Sequence, residues 1–329
     1  MVQTFRTTVN LPKATFTLEK EDLIVAIGSC FAQHLTQQFL QAKCNVLANP
    51  AGILFNPISI SHCLSFILGD GNISDQYIVQ QDDLYHSLLH HGSFSHPDPE
   101  HLKHHIRLSS NRAGEAIRKA RVLIITLGSA LAYRHIASGI IVANCHRIPQ
   151  QQFVKEEIKV EEIYRVFHSN FEMIRQINPD IHIVLTVSPV RYCRDGLIES
   201  QHSKARLLVA LHRLVSDLDY CTYFPAYELV IDDLRDYRFY QEDMVHPNDV
   251  AIRYVMNHFT TQYLSSDAQD FMRKMQALYT AMHHRPLHPN HSTYQQFIAK
   301  LLAQIEIYKK HYPHISFLAE MEDLNSRLK

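Results

Sequence analysis

The chain has 329 residues, which is enough for one large domain or two modest ones with a substantial hydrophobic core. Its formal net charge is -1 and no long run of Lys or Arg occurs, so a surface for nucleic acid or anionic membranes is not expected. No apolar stretch approaches the length of a membrane span, and the first residues lack the apolar core of a secretory signal. Six cysteines, none in a Cys-x-x-Cys pair, indicate reduced thiols. We therefore expect a cytoplasmic protein without membrane insertion.

The first stretch with a clear pattern predicts a strand, a tight turn and a helix. Residues 23–27 are apolar and rich in β-branched side chains, which is typical of a buried strand, and Gly28 ends the run. The apolar positions that follow recur at helical spacing, at Phe31, Leu35 and Phe39. Ser29 and Cys30 therefore stand at a helix N-terminus, where unpaired N–H groups favour an anion and can stabilise an oxyanion. This corner is the candidate active site, although Ser29 can also be a simple N-cap and Cys30 a small buried hydrophobe.

The next segment, residues 49–57, combines two Asn-Pro steps with Gly52 between them. An X-Pro step restricts both residues and Gly permits unusual φ values, so an ordered loop is expected. A helix is predicted after it, at residues 59–67.

Residues 82–111 are rich in histidine. A metal site through His90, His91 and His96 is one interpretation, because imidazole is a common metal ligand. The spacings match no zinc signature and no Cys or carboxylate completes a set, so no metal is expected. We favour a polar loop that lines a pocket, with His91 as a substrate contact.

Further along the chain, strand and helix patterns alternate. Buried strands are predicted at residues 121–127 and 181–187, a hairpin strand at 140–145 and a last strand at 222–230. Helices are predicted at residues 160–177, 204–217 and 249–263. This alternation predicts an α/β fold with a doubly wound parallel sheet, whose ligands bind beyond the carboxyl ends of the strands. Segments 267–284 and 292–310 carry apolar stripes, so we divide the chain into an α/β domain at 1–264 and a helical hairpin packed on it at 265–329.

A second polar cluster, Asp243 to His246, comes directly before the predicted helix at 249–263. A carboxylate three residues before an imidazole can orient the ring, leaving His246 free to take a proton from a nucleophile. The spacing alone is a weak signal, and a structural hydrogen-bonded pair is the alternative. It gains weight because the first strand of the same α/β domain ends in Gly-Ser-Cys.

These segments carry a family resemblance. The run Gly28-Ser29-Cys30-Phe31-Ala32 is the signature from which the GSCFA family takes its name. Segments that also resemble blocks of that family are residues 49–57, 142–146, 186–191, 203–205, 223–225 and 233–240. The family is similar to the SGNH (GDSL-like) hydrolases. The resemblance implies a flavodoxin-like three-layer α/β/α fold, a nucleophile after the first strand and a late Asp-x-x-His that completes a catalytic triad.

The chain departs from the SGNH pattern at two places. That pattern has Gly-Asp-Ser after the first strand, so the nucleophile position is Cys30 and Ser29 occupies the Asp position. We favour Cys30 and keep Ser29 as the alternative. Where the superfamily has Gly-x-Asn-Asp, Ala130 stands at the position of the oxyanion Asn. The side chains that can replace this donor are Asn56, Thr126 and Ser129, and Gly52 offers its N–H.

The remaining charged candidates are Arg191 and Lys204. Arg191 follows a predicted strand end, where it can bind a carboxylate or phosphate of the substrate, or pair with Asp232, Asp233 or Asp236. Lys204 is expected to be a solvated helix residue, with the alternative that the Ser203-Lys204 segment faces the pocket.

The function we predict is an SGNH-like esterase or acyltransferase that needs no cofactor. A Cys or Ser nucleophile attacks an acyl ester of a sugar or small molecule, with His246 as general base and Asp243 orienting it. The alternative is a catalytically inactive scaffold that binds an anionic metabolite or a protein partner through Arg191 and the histidine-rich segment.

Overall fold

The computed structural model describes residues 7–12, 14–284, 286–288 and 290–328. Strands in these ranges are β1 Ile24–Gly28, β2 Val46–Ala48, β3 Ile78–Gln81, β4 Leu84–Ser87, β5 Ser95–His96, β6 Val122–Leu127, β7 Leu131–His135, β8 Ile141–Val142, β9 Phe153–Glu157, β10 His182–Val187 and β11 Cys221–Tyr223. Helices are α1 Cys30–Gln41, α2 Pro57–Leu68, α3 Pro99–Lys119, α4 Val160–Ile177, α5 Leu197–Asp217, α6 Ala226–Glu228, α7 Asp249–Tyr263, α8 Ser266–Met282, α9 Ser292–His311 and α10 Leu318–Arg327.

The central sheet has five parallel strands in the order β11-β10-β6-β1-β2. The three middle strands are apolar on both faces, as expected for a parallel sheet that is covered by helices on both sides. In register, Gly28 at the end of β1 pairs with Thr126 of β6, and Thr126 pairs with Thr186 of β10. The carboxyl ends of the three strands therefore meet at one edge.

Side chains that alternate along β1 enter two separate hydrophobic clusters. Ile24 and Ala26 pack on one face with α1, α7 and the C-terminal helices, and Val25 and Ile27 pack on the other with α2, α4 and α5. Because successive side chains of a strand point to opposite faces, this division places the sheet between two helical layers. The predicted three-layer α/β/α fold is confirmed.

Several predicted elements match the structure closely. The helices expected at residues 160–177 and 249–263 are α4 and α7. The helix expected at residues 59–67 is α2, which begins two residues earlier because Asn56 caps it and Pro57 occupies its first turn.

Other predicted elements were wrong in kind or extent. Residues 82–111 are not one polar loop, since they contain β4, β5 and the first half of α3. β3, β4 and β5 form an antiparallel sheet, and β8, β7 and β9 form another. The strand predicted at 222–230 ends at Tyr223, because Pro225 follows and the chain turns into helix at Ala226.

The C-terminal segment contains a third helix, α10, beyond the two that the apolar stripes predicted. Buried side chains of α8 and α9, among them Phe271, Met275 and Ile305, belong to the same cluster as Phe31 and Leu35 of α1. These helices thus extend the core on one face of the sheet. In the ranges described, no helix combines the length and the apolar character needed to cross a membrane.

Candidate active site

The corner between β1 and α1 is fixed by close backbone contacts. Gly28 has φ +146°, and a Cβ at this position would lie 2.1 Å from the carbonyl oxygen of Thr126, so only Gly fits. The N–H of Gly28 donates to Asn49 Oδ1 at 2.8 Å, and its carbonyl oxygen accepts from the N–H of Leu54 at 2.9 Å. The loop that begins at Asn49 therefore holds the end of β1 and sets the direction in which the next two residues leave the sheet.

Ser29 and Cys30 differ in exposure at this corner. Ser29 is only 2% exposed, and its Oγ is buried with no hydrogen-bond partner among the described residues. Cys30 is partly exposed and is the first residue of α1. Cys30 is therefore the more accessible of the two residues, whereas the hydroxyl of Ser29 is enclosed.

The thiol of Cys30 is neutral at neutral pH. Burial raises its pKa, and its own backbone N–H at the start of α1 opposes this only in part. A thiolate would be the better nucleophile, so the thiol needs a neighbouring base that removes its proton during attack.

Asp243 and His246 form the hydrogen-bonded pair that the sequence predicted. Asp243 Oδ2 lies 2.6 Å from His246 Nδ1, and Asp243 Oδ1 accepts from the backbone N–H groups of Val245 and His246. These contacts lower the pKa of the Asp243 carboxyl to about 2, chiefly through the two hydrogen bonds with His246. With Nδ1 bonded to the carboxylate, Nε2 of His246 makes no hydrogen bond in the described part of the chain and is available to accept a proton.

The loop that carries this pair, residues 236–248, is attached to the carboxyl end of β10. The N–H of Arg191 donates to the carbonyl oxygen of Val245 at 3.1 Å, and Arg191 follows β10 by four residues. Adjacent strands lie about 4.8 Å apart, so β10 and β1, with β6 between them, end about 10 Å from each other. The Asp243–His246 pair and Cys30 therefore lie at the same edge of the sheet.

His34, which sequence reasoning did not single out, links the two halves of the site. It lies four residues after Cys30 in α1, on the same face of the helix. Burial lowers the pKa of His34, and the charge of neighbouring His246 lowers it further, while Asp249 acts in the opposite direction. The signal that could have found His34 is this spacing from Cys30.

Arg191 supports the loop with its side chain as well. Its guanidinium lies over the rings of Tyr237 at 5.4 Å and Tyr240 at 5.6 Å, and Nη1 donates to the carbonyl oxygen of Met244 at 3.3 Å. Arg191 makes no ion pair with the described acidic residues, including Asp232, Asp233 and Asp236, which were the alternative partners. Its contacts are those of a loop support.

Three of the predicted oxyanion donors already make hydrogen bonds within the protein. The Asn56 amide nitrogen donates to Ser59 Oγ and to the carbonyl oxygen of Val142. Ser129 Oγ contacts Ser203 Oγ and accepts from the N–H of Leu131, and the N–H of Gly52 donates to the carbonyl oxygen of Asn49.

The other possible donors lie at the end of β6 and the start of α1. Thr126 is fully buried in β6, and its hydroxyl has no partner among the described residues. The N–H groups of Cys30 and Phe31, at the open end of α1, donate to no other described residue. These N–H groups belong to the residue that carries the thiol and to the residue that follows it.

Lys204 is buried, contrary to the prediction of a solvated residue. It is 2% exposed, and Nζ donates to the carbonyl oxygens of Gly128 at 2.7 Å and Ser188 at 2.6 Å. These carbonyls follow β6 and β10, so the lysine holds two strand ends together below the site. Burial lowers the pKa of Lys204 to about 7. The carbonyl acceptors act in the opposite direction, because they favour the ammonium.

The histidine-rich segment lies beside this edge. His91 packs on Gly52, where an added Cβ would lie 2.3 Å from the Cβ of His91, and its N–H donates to the carbonyl oxygen of Ala51. His91 is thus fixed on the loop that follows Asn49.

Two neighbouring histidines hydrogen-bond to the end of β4. His90 Nδ1 lies 2.7 Å from Ser87 Oγ, and His146 Nε2 lies 2.7 Å from the carbonyl oxygen of Ser87. Burial lowers the pKa of His90 to about 3 and that of His146 to about 4, so both are neutral. In the ranges that the structure describes, no three His, Cys, Asp or Glu side chains are arranged to hold a metal ion.

The fold and this edge define the chain as a three-layer α/β/α protein with a nucleophile candidate after its first strand. The profile of the GSCFA family matches residues 23–259, and that of the GSCFA domain protein, C-terminal domain, matches residues 275–329. The chain belongs to the GSCFA family. A search of curated proteins finds no match.

Solved structures with a similar fold include three that are named for lipases or esterases. One, named as a GDSL-like lipase, from Parabacteroides merdae ATCC 43184, is 12% identical, with 79% of this chain and 100% of that chain covered and a TM-score of 0.38. A carbohydrate esterase family 3 protein from Talaromyces cellulolyticus is 6% identical, with 78% and 99% covered and a TM-score of 0.36.

The third is a carbohydrate esterase family 2 enzyme plus carbohydrate binding domain from Corynascus thermopiles (Myceliophthora fergusii). It is 15% identical, with 77% of this chain and 68% of that chain covered and a TM-score of 0.37. With TM-scores below 0.5, these structures say nothing about which residues of this chain react.

Proposed function

We propose that this protein is a cysteine-dependent esterase or acyltransferase with Cys30 as nucleophile, His246 as general base and Asp243 as the group that orients the imidazole. The observation that carries the proposal is the arrangement at one sheet edge. An accessible thiol at a helix N-terminus shares this edge with an imidazole whose Nδ1 is held by a carboxylate at 2.6 Å.

The reaction follows from these groups. Nε2 of His246 takes the proton from Cys30 Sγ while sulfur attacks the acyl carbonyl carbon, and the N–H groups of Cys30 and Phe31 stabilise the oxyanion. As the intermediate collapses, the C–O bond to the alcohol breaks and His246 returns the proton to the leaving oxygen. Water, or an acceptor alcohol in the transferase case, then gives its proton to His246 and attacks the thioester carbonyl carbon. The C–S bond breaks and His246 returns the proton to sulfur, which restores the thiol and releases the acid or the new ester.

The substrate that we propose is an acyl ester of a sugar or small molecule. The chemistry uses only side chains and backbone N–H groups of this chain. We also propose a cytoplasmic location, which is supported by the six cysteines, all free in the structure.

The test compares hydrolysis of p-nitrophenyl acetate, p-nitrophenyl butyrate and acetylated sugars by four proteins. Cys30→Ala and His246→Ala should each lower kcat by at least about 1,000-fold, because members of a triad act as a unit. Ser29→Ala should retain activity within about tenfold, since its hydroxyl is enclosed. Full activity in Cys30→Ala together with loss in Ser29→Ala would assign the nucleophile to Ser29 instead.

A second candidate function is binding without catalysis. It is supported by Ala130, which stands where SGNH enzymes have the oxyanion Asn and is buried, with its N–H donated to Ser203 Oγ at 2.6 Å. The same ester panel separates the two candidates, because an inactive scaffold hydrolyses no ester in either the wild type or the variants.

A further inference from the structure

A polar groove extends from the candidate site between α1, α7 and α8. Its volume is ≈ 450 Å³, which is within the range of small-molecule sites. His34 and Asp249 line it at the end nearest the site, and Asp249 follows His246 by three residues. Along α1 the groove runs from His34 to Gln41, a length of about 10 Å at 1.5 Å per residue. The end formed by His34 and Asp249 is therefore the end of the groove that is nearest to His246.

The walls of the groove are rich in carboxamides. Gln37, Gln38 and Gln41 come from α1, Asn257 from α7 and Gln276 from α8. Carboxamide side chains both donate and accept hydrogen bonds. The side-chain amides of these five make no hydrogen bond with the described part of the chain, whereas those of Gln201, Gln262, Gln269 and Gln295 elsewhere do. The groove therefore offers unengaged donors and acceptors on three sides.

The other lining groups add an aromatic ring and little net charge. Tyr279 lies in the groove with its ring stacked on His283 at 4.0 Å. Asp249 and Arg253 are the acidic and the basic residue of the lining, and their charges cancel. A phosphate or a polycarboxylate has no cationic cluster to bind here, which argues against an anionic ligand.

We propose that this groove is a binding site for an uncharged oligosaccharide, which forms the non-reacting part of the substrate. Each sugar hydroxyl is donor and acceptor at once, as each carboxamide is, and an aromatic ring gives an apolar surface for a sugar face. The link to catalysis rests on the proposed function, but binding itself does not.

The binding test uses Cys30→Ala, so that no ester is turned over, and isothermal titration calorimetry. The ligands are the neutral tetramers of glucose, xylose, mannose and N-acetylglucosamine, with tetragalacturonate and tetra-alanine as the acidic and the peptide comparison. At least one neutral sugar should bind, and more tightly than either comparison ligand. The groove variant, Gln38→Ala with Gln276→Ala, removes one carboxamide from each of two walls. It should weaken that binding about tenfold or more.

The matched control is Gln33→Ala with Arg273→Ala, on the same two helices but outside the groove, and it should bind as the parent does. The proposal is overturned if no neutral tetramer binds at millimolar concentration, if the peptide or the uronate binds instead, or if the groove and control variants bind alike.

A kinetic test in the otherwise unchanged protein separates this proposal from the proposed function. The groove variant should raise KM for an acetylated tetrasaccharide about tenfold, whereas the control variant Gln33→Ala with Arg273→Ala should hydrolyse both this ester and p-nitrophenyl acetate within about twofold of wild type. If the wild type hydrolysed no ester but bound a neutral tetrasaccharide, this would count against the proposed function and support the groove. Normal hydrolysis of both esters by the groove variant would overturn the groove alone.

Discussion

At the scale of single residues, two adjacent side chains share one corner and have different environments. Ser29 is buried and Cys30 is partly exposed, so Cys30 is the more accessible of the two. Burial keeps the sulfur protonated, which makes the imidazole of His246 necessary to the proposed reaction and not merely helpful. The proposed catalysis by Cys30 would thus depend on the loop that holds His246.

The buried Lys204 makes stability depend on pH. Its ordinary pKa of 10.5 falls to about 7 in the fold, so between these values the unfolded chain binds the proton and the folded chain does not. The free energy of unfolding therefore rises with pH across that interval. Between about pH 7 and about pH 9, the wild type should gain about 2 kcal/mol relative to Lys204→Met, as measured by urea unfolding at both pH values.

Lys204→Met is the control, because all other groups that titrate in this range are the same in both proteins. Equal changes in wild type and Lys204→Met would show that the lysine is charged in both states and that its two carbonyl contacts outweigh its burial.

The sequence could predict the candidate reacting groups but not the burial of Lys204. Gly28 to Cys30 and the pair Asp243–His246 are recognisable as short patterns, because their chemistry needs particular residue types at close spacing. The residue type alone predicts a solvated side chain for Lys204. Its position was the better signal, since the buried stripe of α5 runs through Ser200, Ser203, Lys204, Leu207, Ala210, Leu211 and Leu214.

At the scale of elements, the loop at residues 236–248 is held at both ends. Asn248 caps α7 and its side chain donates to the carbonyl oxygen of Arg238, while the N–H of Gln241 donates to that of His246 at 2.7 Å. Met244 has φ +55° inside this loop, a conformation that costs a non-glycine residue about 1 kcal/mol. Surrounding contacts must therefore maintain the conformation of the loop.

Arg191 is one of these contacts, and its removal separates support from substrate binding. Arg191→Met keeps the backbone bond to Val245 but removes the contacts to Met244, Tyr237 and Tyr240. We expect kcat to fall about tenfold with KM unchanged, because His246 is less well positioned.

Arg238→Met, a change at an exposed arginine of the same loop, is the control and should stay within about twofold of wild type. If Arg191→Met raised KM and left kcat alone, the side chain would instead be the substrate clamp that the sequence also allowed.

Helices and strands were predicted correctly where one face or the whole element is buried. The prediction failed where strands are short and polar. The apolar stripe of α4 and the runs of β1, β6 and β10 report burial directly. β4 reads Leu-Tyr-His-Ser and pairs with the neighbouring β3 and β5, so its strand character comes from this pairing and is not visible in its own residues.

At the scale of the whole molecule, one hydrophobic cluster joins the candidate site to the C-terminal helices. It contains Phe31 of α1, Phe259 of α7 and Phe271 of α8, each fully buried. We propose that residues 265–329 are an extension of the α/β domain and stabilise the helices that frame Cys30 and the groove.

Phe271→Ala tests this proposal. The change leaves a cavity in the shared cluster and should lower the free energy of unfolding by about 3–5 kcal/mol, as measured by denaturant unfolding. The transition should remain single, because the two parts share one core. Leu287→Ala, at a side chain that is 94% exposed, should change stability by less than about 0.5 kcal/mol. Two separate transitions would show that the C-terminal segment folds independently.

Whole-molecule organisation was partly predictable from the sequence. The order of strand and helix patterns predicts a parallel sheet and therefore brings the ends of distant strands together, which is why residues more than two hundred positions apart were expected at one edge. The groove was not predictable, because it lies between three helices whose relative placement depends on packing.

The most direct measurement is mass spectrometry of the protein quenched in acid during turnover of p-nitrophenyl acetate. We predict an acetyl group on Cys30, located by fragmentation of the peptide that also contains Ser29, and strongly reduced labelling in His246→Ala. An acetyl group on Ser29 or another residue with Cys30 unmodified, or full labelling of Cys30 in His246→Ala, would contradict the account.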